Sequence, residues 1–347
     1  MTTAMPFIAA CRGEPTPHTP IWLNRQAGRY MPAYHRIKGD LTSKAFFLHP
    51  ERAADMTLTA QRLLGVDAAV LFTDLLPVLE LIGLDLDYKS GVGPVFSNPL
   101  REAKVIESLP GYEMERDMAC ISECIGLVLA GLPREVALIG FAGAPFTLAS
   151  YAVEGRGGGN KEWVKRMMHD APAVWAKLMQ TLVDLVAEFV DLQVKAGVHA
   201  IQLFDSWVGA LSLSDYRCFV APWTKALIDR IRGNAGEHVP IILFAVGNGH
   251  LLADMYAAGP DVMALDWQVP LGETWDALGC RTVQGNLDPV VLLCDEKTIA
   301  TEAKRILDEA GGRTGHIFNL GHGVLPQTDE GRVRGLVEMV RTFAGSF

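Results

Sequence analysis

Several features that define common protein classes are absent from this chain of 347 residues. No apolar run approaches the roughly 20 residues that a membrane-spanning helix needs. The net charge is −9, with 40 acidic against 31 basic residues, and this balance disfavours nucleic acid and anionic membranes as partners. We therefore expect a soluble, cytoplasmic protein that binds neither nucleic acid nor membrane.

Motifs for metals and nucleotides are also missing. The six cysteines are scattered, and no set of His and Cys residues has zinc-finger spacing, so we expect reduced, mostly buried thiols and no metal site. No Gly-Lys-Ser/Thr follows the glycine run Gly157–Gly159, which excludes a P-loop. Pro145 prevents a helix from opening as a dinucleotide fingerprint over residues 140–145 would require.

Short apolar runs that favour strands alternate with helical patterns along the whole chain, whose hydrophobic content of 49% is enough for a large core. The strand candidates are Ile21–Leu23, Ala69–Phe72, Ala137–Phe141, Ala200–Phe204, Ile241–Phe244, Val262–Leu265, Thr282–Gln284 and Ile317–Asn319. The helix candidates are Pro50–Leu64, Tyr112–Ala130, Ala173–Ala196, Asp215–Arg232, Gly249–Ala258, Thr298–Gly311 and Asp329–Phe343. Eight strands with crossovers predict an α/β fold, specifically a (β/α)₈ TIM-like barrel. No linker divides the chain, so we expect a single catalytic domain over residues 20–347 after an irregular N-terminal arm over residues 1–19.

Unusual polar residues follow the predicted strands. In chain order they are Arg25, Asp74, Tyr151, Asp205 with Ser206, Asn248 with His250, Asp266, Asn286 with Asp288, and His322. In a barrel of this kind the chemistry gathers at the carboxyl ends of the strands. Chance would scatter such residues over both rims, so their crowding at one rim indicates an enzyme.

Arg25 and Arg29 flank a glycine directly after the first predicted strand, and no acidic residue lies between them. Each planar guanidinium can hold a carboxylate or phosphate with two parallel hydrogen bonds, so the pair suits a multiply charged anion. Because the net charge of the chain opposes an anion, capture would depend on these local arginines. A solvated loop that happens to carry two arginines is the alternative.

The other rim residues each have a structural alternative. Asp74 could cap a helix, or its carboxylate could face a cationic group in a dry pocket. His322 lies between two glycines, which suits either a turn or the close approach of a ligand. Tyr151 and Ser206 could each satisfy a buried backbone group. The segment Gly155–Asn160 is either a plain flexible loop or a lid.

Long segments of the chain resemble the signatures of a known enzyme family. Residues 20–30 (Pro-Ile-Trp-Leu-Asn-Arg-Gln-Ala-Gly-Arg-Tyr) resemble the first signature of the uroporphyrinogen decarboxylase family. Residues 140–148, continuing to Tyr151 and Glu154-Gly155, resemble the second, and residues 284–289 and 318–323 are also similar to that family. Asn24 stands where the family usually has methionine, and Phe146 where tryptophan is usual.

The resemblance implies a cofactor-free, metal-free carboxy-lyase of haem biosynthesis. Its substrate would be a tetrapyrrole, uroporphyrinogen III, whose four acetate side chains lose their carboxyl groups to give coproporphyrinogen III. The resemblance also suggests a homodimer. The family's catalytic roles fall on Asp74 and Arg25, and its substrate-binding roles fall on Arg25, Arg29, Asp74, Tyr151, Ser206 and His322.

The chemistry of such a reaction needs an electron sink. A pyrrole ring protonated on carbon can accept the electron pair that CO₂ leaves behind, so no metal or organic cofactor is required. The carboxylate of Asp74 can accept hydrogen bonds from the pyrrole N–H groups and offset the ring cation. The identity of the proton donor is left open, with a bound water and a carboxyl group of the substrate as the two candidates.

Two other functions fit parts of the pattern. A related barrel methyltransferase that uses zinc would need a His-x-Cys pair near the strand ends, but His199, His250 and His322 have no cysteine at that spacing. A non-catalytic tetrapyrrole carrier would use the same basin. Binding alone, however, would not need both an aspartate at the ring centre and a full set of side-chain-binding residues.

Overall fold

A parallel sheet of seven strands forms the centre of the protein. The computed structural model describes residues 5–89, 91–235 and 238–343. In chain order its strands are β1 (Ala68–Val70), β2 (Leu86–Lys89), β3 (Gly93–Phe96), β4 (Ala137–Gly143), β5 (Ala200–Asp205), β6 (Ile241–Ala245), β7 (Val262–Ala264), β8 (Val283–Gln284) and β9 (His316–Ile317). The sheet runs β1-β4-β5-β6-β7-β8-β9, while β2 and β3 form a separate antiparallel hairpin. The sheet strands coincide with seven of the eight predicted runs.

The remaining predicted run, Ile21–Leu23, is the first in chain order, and it closes the sheet into a barrel. Ile21 forms a parallel bridge with Phe318, just after β9. The Phe318 amide donates to the carbonyl of Pro20 at 2.8 Å. On the opposite side the Asp67 amide, just before β1, donates to the carbonyl of Ile21 at 2.9 Å. The segment therefore lies between β9 and β1, and the predicted (β/α)₈ barrel is confirmed, with a single bridge in place of a full first strand.

Sixteen α-helices are formed within the described residues, and their signals are visible in the sequence. They are α1 (Pro6–Cys11), α2 (Pro32–Lys38), α3 (Ser43–Phe47), α4 (Pro50–Leu64), α5 (Ala103–Glu107), α6 (Met114–Asp117), α7 (Ala119–Gly131), α8 (Pro145–Glu154), α9 (Glu162–Asp170), α10 (Pro172–Ala196), α11 (Leu213–Phe219), α12 (Ala221–Ala235), α13 (Leu252–Tyr256), α14 (Leu271–Leu278), α15 (Glu296–Ala310) and α16 (Glu330–Thr342). Three 3₁₀ helices span Pro77–Ile82, Val208–Ala210 and Pro289–Leu293. Gly65 and Gly197, both with positive φ, end α4 and α10, since glycine adopts this conformation without strain. None of these helices is long and apolar enough to span a membrane.

Two predicted helices are each divided in the structure. The run predicted over Asp215–Arg232 consists of α11 and α12. Pro222 has no amide hydrogen to continue α11, and its ring would clash with the preceding turn, so the chain breaks and restarts at Ala221. The run predicted over Tyr112–Ala130 consists of α6 and α7, which meet at Met118 with a non-helical φ of −117°.

The N-terminal arm is less irregular than predicted, because α1 occupies part of it. Phe7, Ala10 and Cys11 of this helix are buried, and the hydroxyl of Thr282 donates to the carbonyl of Ala10 at 3.3 Å. Since Thr282 lies at the amino end of β8, α1 covers the amino-terminal face of the barrel. Burial of the apolar side of α1 accounts for the order that a Pro-rich composition does not predict.

Candidate active site

The predicted site residues follow neighbouring elements of the barrel. His322 follows β9, Arg25 and Arg29 follow Ile21, Asp74 follows β1, Tyr151 lies in α8 after β4, and Ser206 follows β5. Because these elements are consecutive around the barrel, the six residues lie along one arc of its carboxyl rim. We call this stretch the open arc.

The polar residues that follow β6, β7 and β8 have a different role, and we call their stretch the tied arc. The carboxylate of Asp266 accepts hydrogen bonds from the amides of Gly247 (2.5 Å) and Gln268 (2.9 Å). Asn286 donates to the carbonyls of Asp266 (2.7 Å) and Val269 (2.8 Å). The polar residues of the tied arc thus hold the rim loops together. None of these tied-arc residues is among the six site residues that the sequence predicts.

The remaining tied-arc residues are also used locally. Asn248 donates to the sulfur of Met255 at 3.1 Å, and a ring nitrogen of His250 lies 2.8 Å from the carbonyl of Leu211. Asp288 accepts from the amide of Val290 at 2.9 Å and caps the 3₁₀ helix that follows. Within the described residues, no group of three or more His, Cys, Asp or Glu side chains is arranged to hold a metal ion.

Arg25 and Arg29 extend from a loop whose backbone is held from several directions. The side chain of Gln26 accepts from the amide of Leu23 at 3.0 Å and donates to the carbonyl of Ala68 at 3.0 Å. The hydroxyl of Tyr30 donates to the carbonyl of Gln26 at 2.7 Å. Both arginines are exposed, and neither forms an ion pair with a described acidic residue. The loop therefore presents two guanidiniums that form no ion pair within the described part of the chain.

The two arginines differ in their surroundings. Arg25 has a φ of 59°, and its side chain lies so close to Gly323 that a Cβ there would be 2.3 Å from the Arg25 Cδ. Burial is the main influence on the pKa values of Asp74 and His322, and the charge of Arg25 also acts on both, which brings the three residues into one electrostatic cluster. The charge of Arg29 instead acts on the pKa of Tyr34.

Asp74 is half-buried, and its carboxylate is held by the backbone that follows it. Its Oδ1 accepts from the amide of Leu76 at 3.0 Å, while the 3₁₀ helix begins later, at Pro77. The residue therefore forms a local turn and is not the N-cap of that helix. Burial raises the pKa of Asp74, against the opposing effects of the Leu76 amide, the hydroxyl of Tyr88 and the charge of Arg25.

Tyr88, on the β2–β3 hairpin, is a site residue that sequence reasoning did not identify. Burial raises the pKa of its phenol, and the charge of Asp74 raises it further. The hydroxyl is buried without a well-oriented hydrogen-bond partner among the described residues. No pattern in the sequence places Tyr88 beside Asp74, because the hairpin's packing over the rim brings them together.

Tyr151 and Ser206 lie on the next two elements of the open arc. The rings of Tyr151 and Trp207 meet edge to face with centroids 5.8 Å apart. Burial raises the pKa of Tyr151, as does the charge of Asp74, so its phenol is protonated at neutral pH. The half-buried hydroxyl of Ser206 makes no hydrogen bond to a described residue. Its neighbour Asp205 is fully buried and accepts from the hydroxyl of Thr147 at 2.8 Å.

His322 is a neutral hydrogen-bond donor at physiological pH. Burial, and then the charge of Arg25, lowers the pKa of its imidazole to about 4. Its Nδ1 accepts from the amide of Gly323 at 2.6 Å, so the ring proton resides on Nε2. Gly321 is required beside it, because a Cβ there would lie 2.2 Å from the backbone nitrogen of Trp267.

Comparison with known proteins identifies the family of this chain. A family model described as "Uroporphyrinogen decarboxylase (URO-D)" matches residues 2–343. The chain belongs to the uroporphyrinogen decarboxylase family. The uroporphyrinogen decarboxylase of Geotalea daltonii is 47% identical over 336 residues, covering 96% of this chain and 97% of the relative. That of Streptomyces coelicolor is 46% identical over 340 residues, covering 97% of this chain and 94% of the relative.

A solved structure with the same fold is a methyltransferase from Methanosarcina mazei. It aligns with a TM-score of 0.78, covers 98% of both chains and is 18% identical in sequence, so the likeness concerns the fold alone. Membership of the uroporphyrinogen decarboxylase family confirms the prediction of a carboxy-lyase. The roles of individual residues stay predictions. The positions of these residues along the open arc are the structural basis on which the predictions are made.

Proposed function

We propose that this member of the uroporphyrinogen decarboxylase family removes the carboxyl groups of the four acetate side chains of uroporphyrinogen III, giving coproporphyrinogen III and CO₂. One observation supports the assignment above others. A half-buried carboxylate, Asp74, interacts electrostatically with Arg25, and neither Arg25 nor Arg29 forms an ion pair within the described chain. This arrangement suits a substrate with anionic side chains around a ring of N–H donors.

Asp74 acts on the ring in this proposal. Protonation of a pyrrole carbon gives a cationic ring, and the electron pair of the breaking C–CO₂ bond then flows into that ring. A second proton converts the resulting methylene carbon to a methyl group, and loss of the first restores the pyrrole. The carboxylate of Asp74 accepts hydrogen bonds from pyrrole N–H groups and offsets the ring's positive charge. Neither metal nor organic cofactor supplies the electron sink.

The remaining residues of the open arc bind the carboxylate side chains. Arg25 and Arg29 each contribute charge-assisted hydrogen bonds, on the order of 1.5–3 kcal/mol apiece. Tyr151, Ser206 and the Nε2 of His322 supply neutral O–H and N–H donors. Neutral donors orient a carboxylate without adding charge, so they discriminate between side-chain positions more than they add to affinity.

We further propose a cytoplasmic homodimer, on the basis of family membership, with residues 20–347 as one catalytic domain after the arm of residues 1–19. Light scattering should give twice the 37.8 kDa of one chain. A mass of 37.8 kDa at micromolar concentration would contradict the dimer without affecting the proposed reaction.

Turnover of uroporphyrinogen III by protein dialysed against a strong chelator tests the function. We expect undiminished release of CO₂ and a product that has lost four carboxyl groups. A rate that collapses and returns on addition of zinc would contradict the cofactor-free chemistry. Tight binding with no turnover at any condition would instead indicate a tetrapyrrole carrier.

A further inference from the structure

A chain of hydrogen-bonded side chains crosses the interior of the barrel beneath the rim. The indole N–H of Trp22 donates to Gln284 at 2.9 Å, and the amide of Gln284 donates to Gln202 at 2.9 Å. Gln202 donates to the Oδ1 of Asn24 at 3.1 Å, and the Nδ2 of Asn24 donates to the carbonyl of Leu320 at 3.3 Å. All four side chains are buried. We call this set the interior amide chain.

The hydrogen bonds of the interior amide chain run in one direction only. An indole can only donate and a backbone carbonyl can only accept, so the two ends fix the orientation of every amide between them. The side chain at position 24 must accept from Gln202 and donate to Leu320 at once. Asparagine meets both demands, whereas aspartate lacks the donor and an apolar residue lacks both groups.

The backbone of Asn24 is fixed as firmly as its side chain. Its amide donates to the Oδ1 of Asn319 at 2.9 Å, and its carbonyl accepts from the amide of Val324 at 2.9 Å. These two partners flank the segment that carries His322. Asn24 therefore connects the loop that carries Arg25 and Arg29 to the loop that carries His322. Its own side chain is held inside the barrel.

The next residue along the chain is Arg25, in a conformation that non-glycine residues rarely adopt. A left-handed φ of 59° costs free energy that the surroundings must offset. The four hydrogen bonds of Asn24, two from its backbone and two from its side chain, provide such a restraint. The resulting path places the Arg25 side chain against Gly323, beside His322.

We propose that Asn24 is a positioning residue that sets the guanidinium of Arg25 for the carboxylate side chains of the substrate, and that the interior amide chain holds Asn24 in place. This role rests on the proposed decarboxylase function and adds to it a residue that touches no substrate. The alternative is that Asn24 satisfies buried polar groups and contributes to folding alone. The two roles differ in whether Asn24 acts through Arg25.

A double-mutant cycle between Asn24 and Arg25 distinguishes the two roles. Asn24→Leu should lower kcat/KM by about tenfold in the parent chain, mainly through a higher KM, because a misplaced arginine weakens binding of both substrate and transition state. In an Arg25→Lys background the same substitution should lower kcat/KM by less than about twofold, because the planar two-bond contact of the guanidinium is already lost. Gln202→Met should reproduce this coupling with a smaller effect, and it serves if Asn24→Leu does not fold.

Gln193 offers a matched control. It is likewise a fully buried amide, accepting from the Phe141 amide at 2.9 Å and donating to the carbonyls of Phe141 at 3.0 Å and Phe189 at 3.4 Å. Gln193→Leu should lower the melting temperature as Asn24→Leu does, with kcat/KM within about twofold of the parent.

Equal effects of Asn24→Leu in the two backgrounds would overturn the inference, as would a loss of stability with unchanged kcat/KM. An inactive parent chain would overturn the proposed function and the inference with it. These outcomes are distinct, because the cycle is interpreted only against measured turnover of the parent.

Discussion

Asp74 combines a local structural role with a proposed chemical one, and a single substitution separates them. Asp74→Asn keeps an oxygen for the Leu76 amide but removes the charge. We expect turnover to fall by about 100-fold or more, because the ring cation loses its counter-charge.

The same substitution should not lower stability. Because burial raises the pKa of Asp74, the ionised form costs folding free energy at neutral pH, and the amide should melt at the same temperature or higher. Asp288→Asn is the control, since Asp288 makes the same two-residue turn on the tied arc. If Asp74→Asn were about as active as the Asp288→Asn control, the role of Asp74 would be limited to the turn that it forms.

Arg29 tests whether the rim needs guanidinium geometry or positive charge only. Arg29→Lys keeps the charge but replaces the planar fork by a point ammonium, so substrate binding should weaken by roughly tenfold, about 1.4 kcal/mol. The melting temperature should hardly change, because the side chain is exposed. Arg134→Lys, on the exposed turn before β4, is the control. Unaltered affinity in Arg29→Lys would reduce Arg29 to part of a charged patch.

Among the structural elements, the glycine-rich segment after α8 is more ordered than its composition indicates. Arg156 bridges Val95 of the β2–β3 hairpin, and Gly157 lies against Tyr151 and Trp207. The ammonium of Lys161 is buried 3.8 Å from the centroid of the Trp207 ring and donates to the carbonyl of Gly158 at 2.5 Å. Lys161 thus fastens the segment beside the open arc.

We predict that this segment is a lid that closes further when ligand binds. Hydrogen exchange over residues 155–160 should slow at saturating coproporphyrinogen, and Lys161→Met should speed exchange in the free protein by removing the cation–π contact. The glycine pair Gly311–Gly312, after α15, should exchange alike with and without ligand. Identical exchange of residues 155–160 in the two states would contradict a lid.

The sequence predicts a helix or strand where a single local pattern determines it. It does not predict contacts between residues that are far apart in the chain. The sequence predicts the strands of the barrel because each is a short apolar run between helical stretches. The hairpin that carries Tyr88 gives no such signal, and the division of α11 from α12 depends on Pro222 alone. Partners in the interior amide chain lie far apart in the sequence, and Trp22 and Gln284 are separated by 262 residues, so only the closed barrel reveals these contacts.

At the scale of the whole molecule, Asp67 secures the closure of the barrel. Its carboxylate is 5% exposed, accepts from the amide of Ile21 at 2.9 Å and lies 2.9 Å from a ring nitrogen of His18. Asp67→Ala would leave that buried amide without a partner, so the free energy of unfolding should fall by about 1–3 kcal/mol.

Chemical denaturation measures this effect, and Asp229→Ala is the control. Among the residues that the structure describes, Asp229 pairs only with Lys225, on an exposed helix surface, so its removal should change stability by no more than about 0.5 kcal/mol. A comparable loss in both variants would mean that Asp67 is an ordinary surface charge. kcat/KM of Asp67→Ala should match the parent below the melting transition, because Asp67 lies at the opposite end of the strands from the open arc.

The division of the rim into an open arc and a tied arc has a consequence for how such an enzyme can change. Residues of the tied arc are bonded into the loops, so replacing them risks the scaffold itself. Most side-chain donors of the open arc are not committed to the protein's own loops, so exchanging them costs folding little. New substrate preferences are therefore most accessible through the open arc, and a barrel of this kind can acquire a different chemistry on one side while the other preserves its shape.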